Sequence, residues 1–412
     1  MGSCLSASMS FLKRFARYAD LIPISLMIVF SFYFSVEVPA SDDWDIVPII
    51  NKIHQGTLDW NTLDTPYAGH KIDIPYLTLS GIAIATHWNT YAFRIFNIVI
   101  FLGAWLAIRP YALRHNCLFA ASLLFWTWNQ WIAWIFTAAM FCTMSIFCVL
   151  WSLRMFESKR SFNFLLGAIL AVLGTYCHGT GLAVWPAALY LMFSGDRPRW
   201  QRAALPAAML LALYGFLHHP ASHANVQVQY VRGVNFLHMP PFFLIGLGAA
   251  VAFPLKGISS IVALGGLILL AVGTPWRKQS EQRFVTAMLV ACLAMMGLVM
   301  VARGGGANII GGADSRYGTI SALFWTALIL LVEWTGWKRY ALATLLALCV
   351  IRDVSRLPVM ITYRHNEEIE RRGLIEWTPD RFVLKGSYTA PQEFDSDAKL
   401  MRAWHYSLFR GQ

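Results

Sequence analysis

Apolar residues come in long, nearly uncharged runs rather than in narrow stripes. The runs lie at 21–38, 91–108, 117–128, 132–153, 164–177, 182–193, 203–217, 258–272, 284–301, 320–334 and 341–351. A helix needs about 20 apolar residues to cross the ~30 Å hydrocarbon layer of a bilayer. A helix apolar on every side has no face to offer water. Barrel strands would instead leave alternating segments of about 10 residues. The pattern therefore predicts an all-α, polytopic transmembrane helix bundle of about eleven spans, within a range of about 10–13. Two further apolar runs, 74–86 and 242–253, are read as not crossing. The first is taken as a helix partly inserted from the outer side.

The connectors sort by charge. Lys13, Arg14 and Arg17 precede the first run, which places the N-terminus in the cytoplasm by the positive-inside rule. With alternation, Arg109 and Arg114, Arg154 with Lys159 and Arg160, Arg197 with Arg199 and Arg202, Arg277 with Lys278, and Lys338 with Arg339 all fall on that side. The other side receives Asp42 to Asp45, Asn129, His178, the 218–235 loop, the 303–317 segment and the C-terminal tail. Residues 1–353 form the expected transmembrane module, with 39–73 as a helical outer loop and 354–412 as a small polar tail on the outer face. Within the loop, 43–54 reads as an amphipathic surface helix with Ser41 or Asp42 as N-cap. The expected location is a cell inner membrane, with the C-terminus outside.

Composition agrees with lipid as the solvent. The chain of 412 residues is 57% hydrophobic and 13% charged, against about 25% charged in an average soluble domain. The net charge of +11 sits in short connectors, so it is read as topological and nucleic acid is not an expected partner. The 17 Trp suit interfacial belts, and those in outer loops can also stack on sugar rings. The Cys are mostly inside apolar runs and show no zinc or disulfide spacing. Met1-Gly2-Ser3-Cys4 fits a loose myristoylation pattern, and no cleavable signal is evident.

The unusual polar groups gather on the expected outer side. Asp42 and Asp43, beside Trp44 and Asp45, follow the first run. One carboxylate can act as general base while its neighbour's charge raises its pKa, and the same cluster also suits a helix N-cap. His70 and Lys71 can hold a phosphate through charge-assisted hydrogen bonds, or Lys71 can simply snorkel. Arg303 precedes Gly304-Gly305-Gly306, and Asp314-Ser315-Arg316-Tyr317 opens the next run. Glycines let a backbone approach an anion, and Arg at a span edge needs a partner: a lipid phosphate, or one of Asp42, Asp43 and Asp314. Asn129 and His178 occupy tight turns, and His218, His219 and His223 form a loop cluster that can be considered for a metal.

In order, these features resemble the GT-C superfamily of membrane glycosyltransferases, and a group of little-characterised bacterial multi-span proteins with the same layout. The shared set is a first span, then Asp42-Asp43-Trp44, a segment like Glu-His-Arg at the loop's end, an Asn-containing turn, and a Gly-rich stretch leading to Ser315-Arg316-Tyr317. Here the loop's end reads Gly69-His70-Lys71, without the acid and with Lys in place of Arg, which weakens bidentate phosphate binding. The resemblance runs through about Trp334. It implies transfer of a sugar from a polyprenyl-phosphate-linked donor to a glycan, lipid or protein acceptor on the outer face. Asp43 or Asp42 would be the catalytic base. His70, Lys71, Arg303 and Arg316 would stabilise the leaving phosphate, Tyr317 would contact phosphate or sugar, and Asn129 and His178 would be substrate-binding. Divalent-metal dependence differs among members and is left open. The alternative is a transporter or flippase of a lipid-linked or small polar solute, which would carry mid-span charges and broken helices.

Overall fold

A computed structural model describes residues 16–39, 41–63, 71–137, 139–218, 235–252, 256–274, 282–304, 317–376 and 391–410. His70 and Arg316 lie outside the described residues, as do 305–315 and most of the 218–235 loop. The described chain is all helix, with no strand. We number its helices of eight residues or more. These are α1 Leu21–Phe34, α2 Val47–His54, α3 Asp73–Thr86, α4 Thr90–Arg114, α5 Leu118–Phe125, α6 Met140–Glu157, α7 Ser161–Cys177 and α8 Val184–Phe193. They continue as α9 Arg199–Leu217, α10 Met239–Gly248, α11 Lys256–Gly273, α12 Arg283–Arg303, α13 Gly318–Leu331, α14 Lys338–Val354, α15 Leu357–Glu376 and α16 Pro391–Ala403.

Among the described residues, α4, α6 and α12 are long and apolar enough to cross a membrane, with 25, 18 and 21 residues. At ~1.5 Å rise per residue they reach roughly 27–38 Å. The shorter apolar helices stop at 10–17 residues. They still present apolar stripes to the outside. On α1, Ile22, Leu26, Val29 and Tyr33 face out, and on α11, Ile261, Leu264, Ile268 and Val272 do, at the 3–4 residue spacing of one helix face. So much continuous exposed apolar surface is unfavourable in water and neutral against lipid tails. On α1 the opposite stripe of Ile24, Met27, Phe30 and Phe34 packs inward, so both faces are apolar for different reasons.

Three local departures from the expected elements have clear causes. Ser41–Ile46 winds as a 3-10 turn, and α2 starts only at Val47, with Ile46 and not Ser41 or Asp42 at its N-cap. Pro48 in the first turn fits that start, since its missing N–H would have no partner there anyway. The expected run at 117–128 gives the eight-residue α5, about 12 Å long. The run at 132–153 breaks into a short helix, Trp131–Ile135, and α6, because Phe136 leaves the first in an extended conformation.

One large core unites most of the helices, and a second lies under the polar segments. In that second core Trp44, Val47 and Ile50 pack with Leu79 and Phe93, and with Leu374, Met401, Tyr406 and Phe409 from the tail. The loop after α1 and the last helices thus share one interior.

Gly181, in the 3-10 turn between α7 and α8, sits where an added Cβ would overlap the Gly174 carbonyl and crowd Ser145 Oγ. Gly181→Ala is expected to cost about 1–3 kcal/mol through overpacking against backbone, which cannot swing aside. Thermal unfolding in detergent checks it, and an unchanged Tm would contradict the close approach.

Candidate functional site

The first group of polar side chains forms where the 3-10 turn after α1 meets the start of α4 and the middle of α15. Asp43 has 0% exposed surface and Arg94, one turn into α4, has 2%. Arg94 Nε donates to Ser35 Oγ at 3.0 Å, and that hydroxyl donates to the Ser31 carbonyl at 2.6 Å. Asp43, Tyr363 and Glu367 lie within electrostatic reach of the guanidinium. Glu367 and Glu370 stand three residues apart on α15, hence on one helix face. Glu367 is pushed up to about 9, first by burial, then by the charges of Glu370 and Asp43, while the Tyr363 hydroxyl and Arg94 oppose the rise. Glu370 is pushed up to about 7 by burial and by Asp43. The charges of the three acids and the guanidinium act on one another across one buried centre.

A pH dependence follows from these shifts. Both glutamic acids prefer the neutral form in the folded protein. Their contribution to stability is complete below the ordinary carboxyl value of 4.5 and is lost as pH rises toward about 9. Glu367→Gln is expected to flatten the fall in Tm between pH 5 and 9. Parallel Tm-versus-pH curves for variant and wild type would refute the assignment.

The second group centres on Asn129, at the break between α5 and the short helix that follows. Arg352 Nη2 donates to Asn129 Oδ1 at 2.5 Å, and Arg356 donates to the same oxygen through Nε at 3.3 Å and Nη2 at 3.2 Å. Asn129 Nδ2 donates to the Ala249 carbonyl at 2.5 Å. Asp353 accepts from Thr127 Oγ1 at 2.6 Å and from the Asn129 amide at 3.2 Å. All of these side chains are buried. Gly318 lies against Asn129, its missing Cβ only 3.3 Å from the Asn129 carbonyl oxygen, so Asn129 and the adjoining Tyr317 stand together. Tyr363 links the groups: its ring is 5.2 Å from that of Trp131 and 5.3 Å from that of Phe136.

The third group surrounds Lys71. Its ammonium donates to the Gly215 carbonyl at 3.0 Å and lies 5.4 Å from the Tyr176 ring and 5.9 Å from that of Phe216. It lines a cavity of about 470 Å³ with Trp60, Asp73, Tyr176, Tyr214 and His218. His178 is elsewhere: its ring stacks on Phe141 at 4.9 Å, and Nδ1 lies 2.7 Å from Thr180 Oγ1. Arg303 is half-buried at the end of α12. Asp42 lies in the same 3-10 turn as Asp43. Among the described residues no group of three or more His, Cys, Asp or Glu is arranged to hold a metal ion.

Sequence reading missed Arg94, Tyr363, Glu367, Glu370, Arg352, Asp353 and Arg356. One signal was present. Arg94 breaks an otherwise apolar run near its start, and an ionisable group there asks for a buried partner. The chain matches no protein-family model, no curated protein and no solved structure.

Proposed function

We propose that this protein is a glycosyltransferase of the inner membrane, with about eleven spans and its N-terminus in the cytoplasm. It moves a sugar from a polyprenyl-phosphate-linked donor to a glycan, lipid or protein acceptor on the periplasmic or extracellular face. The observation that carries this reading is the buried acid centre directly after α1. Asp43 is fully buried beside Glu367 and Glu370, which burial and its charge push up, and a positioned carboxylate there suits taking a proton. In the reaction Asp43 accepts the proton of the acceptor hydroxyl, whose oxygen attacks the anomeric carbon. The bond from that carbon to the phosphate oxygen breaks, polyprenyl phosphate leaves, and the sugar inverts. Lys71, over its largely apolar cavity, suits the leaving phosphate, with His70, Arg303 and Arg316 as further donors. Tyr317 and Asn129 would serve the sugar or phosphate, and His178 would order the nearby turn.

Transport of a lipid-linked or small polar solute is a second reading. It is favoured by the broken α5 and the buried Asn129–Arg352–Asp353–Arg356 group, since discontinuous helices around buried charge are a transporter feature.

Proteoliposomes loaded with radiolabelled polyprenyl-phosphate sugars separate the two. Transfer releases polyprenyl phosphate and labels the acceptor, whereas transport moves the donor intact. Sidedness is tested with a membrane-impermeant maleimide on Asp45→Cys and Lys338→Cys. The proposal requires reaction from opposite faces, and labelling of both from the cytoplasm would end it.

A further inference from the structure

A polar cleft of about 370 Å³ opens where α15 crosses the end of α1 and the start of α4. Its charged lining is Glu37, Arg364, Glu368, Arg371 and Arg372, with Tyr91 at one side. The acids are already engaged. Glu37 pairs with Arg410, and Glu368 accepts from Arg364 Nε at 2.9 Å. Arg364 is fixed further, since it donates to the Tyr33 carbonyl and lies over the Tyr33 ring at 4.7 Å. Among the described residues Arg371 and Arg372 make no hydrogen bond or close ion pair, and only the charge of Arg372 reaches Glu368, which Arg364 already holds, so the cleft keeps a surplus of positive charge.

The surface beside the cleft is apolar. Tyr33 is 62% exposed and Val29 66% on α1, and Tyr91 and Ile95 are exposed on α4. The Phe32 and Tyr91 rings, 6.0 Å apart, join the two helices into one strip. A cationic cleft at the end of a lipid-facing strip matches an amphiphile with an anionic head and a hydrocarbon tail. Guanidinium is the side chain best suited to grip phosphate oxygens in pairs. Aromatic rings at the water–lipid boundary suit the glycerol region beneath.

We propose that this cleft binds the phosphate of a membrane phospholipid, with Arg371 and Arg372 on the headgroup and the acyl chains along Val29, Tyr33, Tyr91 and Ile95. The proposal rests on the chain spanning a membrane and not on the transfer reaction. The site is separate from the Lys71 cavity assigned above to the donor.

Native mass spectrometry of the full chain in detergent, titrated with phosphatidylglycerol, phosphatidylcholine or inorganic phosphate, tests it. Wild type is expected to hold one phosphatidylglycerol, and Arg371→Gln with Arg372→Gln to weaken that binding at least tenfold. Lys338→Gln with Arg339→Gln, which removes the same net charge elsewhere, is expected to leave it unchanged. Equal binding by the Arg371/Arg372 variant, or an equal loss in the Lys338/Arg339 control, overturns the site. Displacement of the lipid by inorganic phosphate at equal concentration overturns the lipid as its source. Both arginines are at least partly exposed, so the variant should fold, and an unshifted Tm checks this.

Discussion

Asp43→Asn is expected to lower sugar transfer by roughly 10²–10⁴-fold, the usual worth of a positioned general base. At about 1.36 kcal/mol per decade this is some 2.7–5.4 kcal/mol of transition-state stabilisation. Asn keeps the shape of the side chain and removes only the charge, so the protein should still accumulate in membranes. A second signature separates catalysis from scaffolding. Asp43 is one of the charges that hold Glu367 and Glu370 protonated, so its neutralisation should let both ionise at lower pH. The alkaline decline in stability should then be shallower in the variant and end at lower pH. Asp42→Asn, assayed beside it, decides which of the two neighbouring acids is the base. If Asp43→Asn transfers sugar at the wild-type rate, the acid centre is structural and the proposed mechanism fails.

The other large effect concerns Arg94. It is 2% exposed and faces Asp43 and Glu367 across the acid centre. Removing one partner of a buried charged group leaves the others without compensation, at a cost of about 3–5 kcal/mol. Arg94→Met should therefore sharply reduce the yield of folded protein and its Tm in detergent. Combining it with Asp43→Asn should recover part of the loss, because the acid whose charge acts most on Arg94 is then neutral as well. A double-mutant cycle with no coupling would mean that Arg94 serves only to fill space and bond Ser35.

How far the sequence led depended on the range of the interaction. Helices α4, α7, α8, α9, α11 and α12 were legible because long apolar runs between charged connectors decide them locally. The break at Asn129 was half legible: Asn129-Gln130 marked a turn, but the extended Phe136 beyond it had no local sign. Asp43 drew notice as one of a pair of acids, and the structure buries it. Its surroundings were hidden because Arg94, Glu367 and Glu370 come from distant parts of the chain, and hydrophobic periodicity says nothing about which ends meet. The tail shows why. Its composition reads as a small polar tail on the outer face, yet Glu367 and Glu370 turn inward because one face of α15 packs on the loop after α1.

That shared interior has a consequence for how the protein is made. Trp44 and Val47 emerge from the ribosome early, whereas Leu374, Met401 and Phe409, which complete their core, emerge near the end of the described chain. At about 5–20 residues per second, the early segment waits on the order of tens of seconds for its partners. Throughout that interval Asp43 lacks Glu367 and Glu370. The charged centre therefore comes into being only once α15 has emerged, and a nascent chain stalled before it would hold every long apolar helix but neither glutamic acid of that centre.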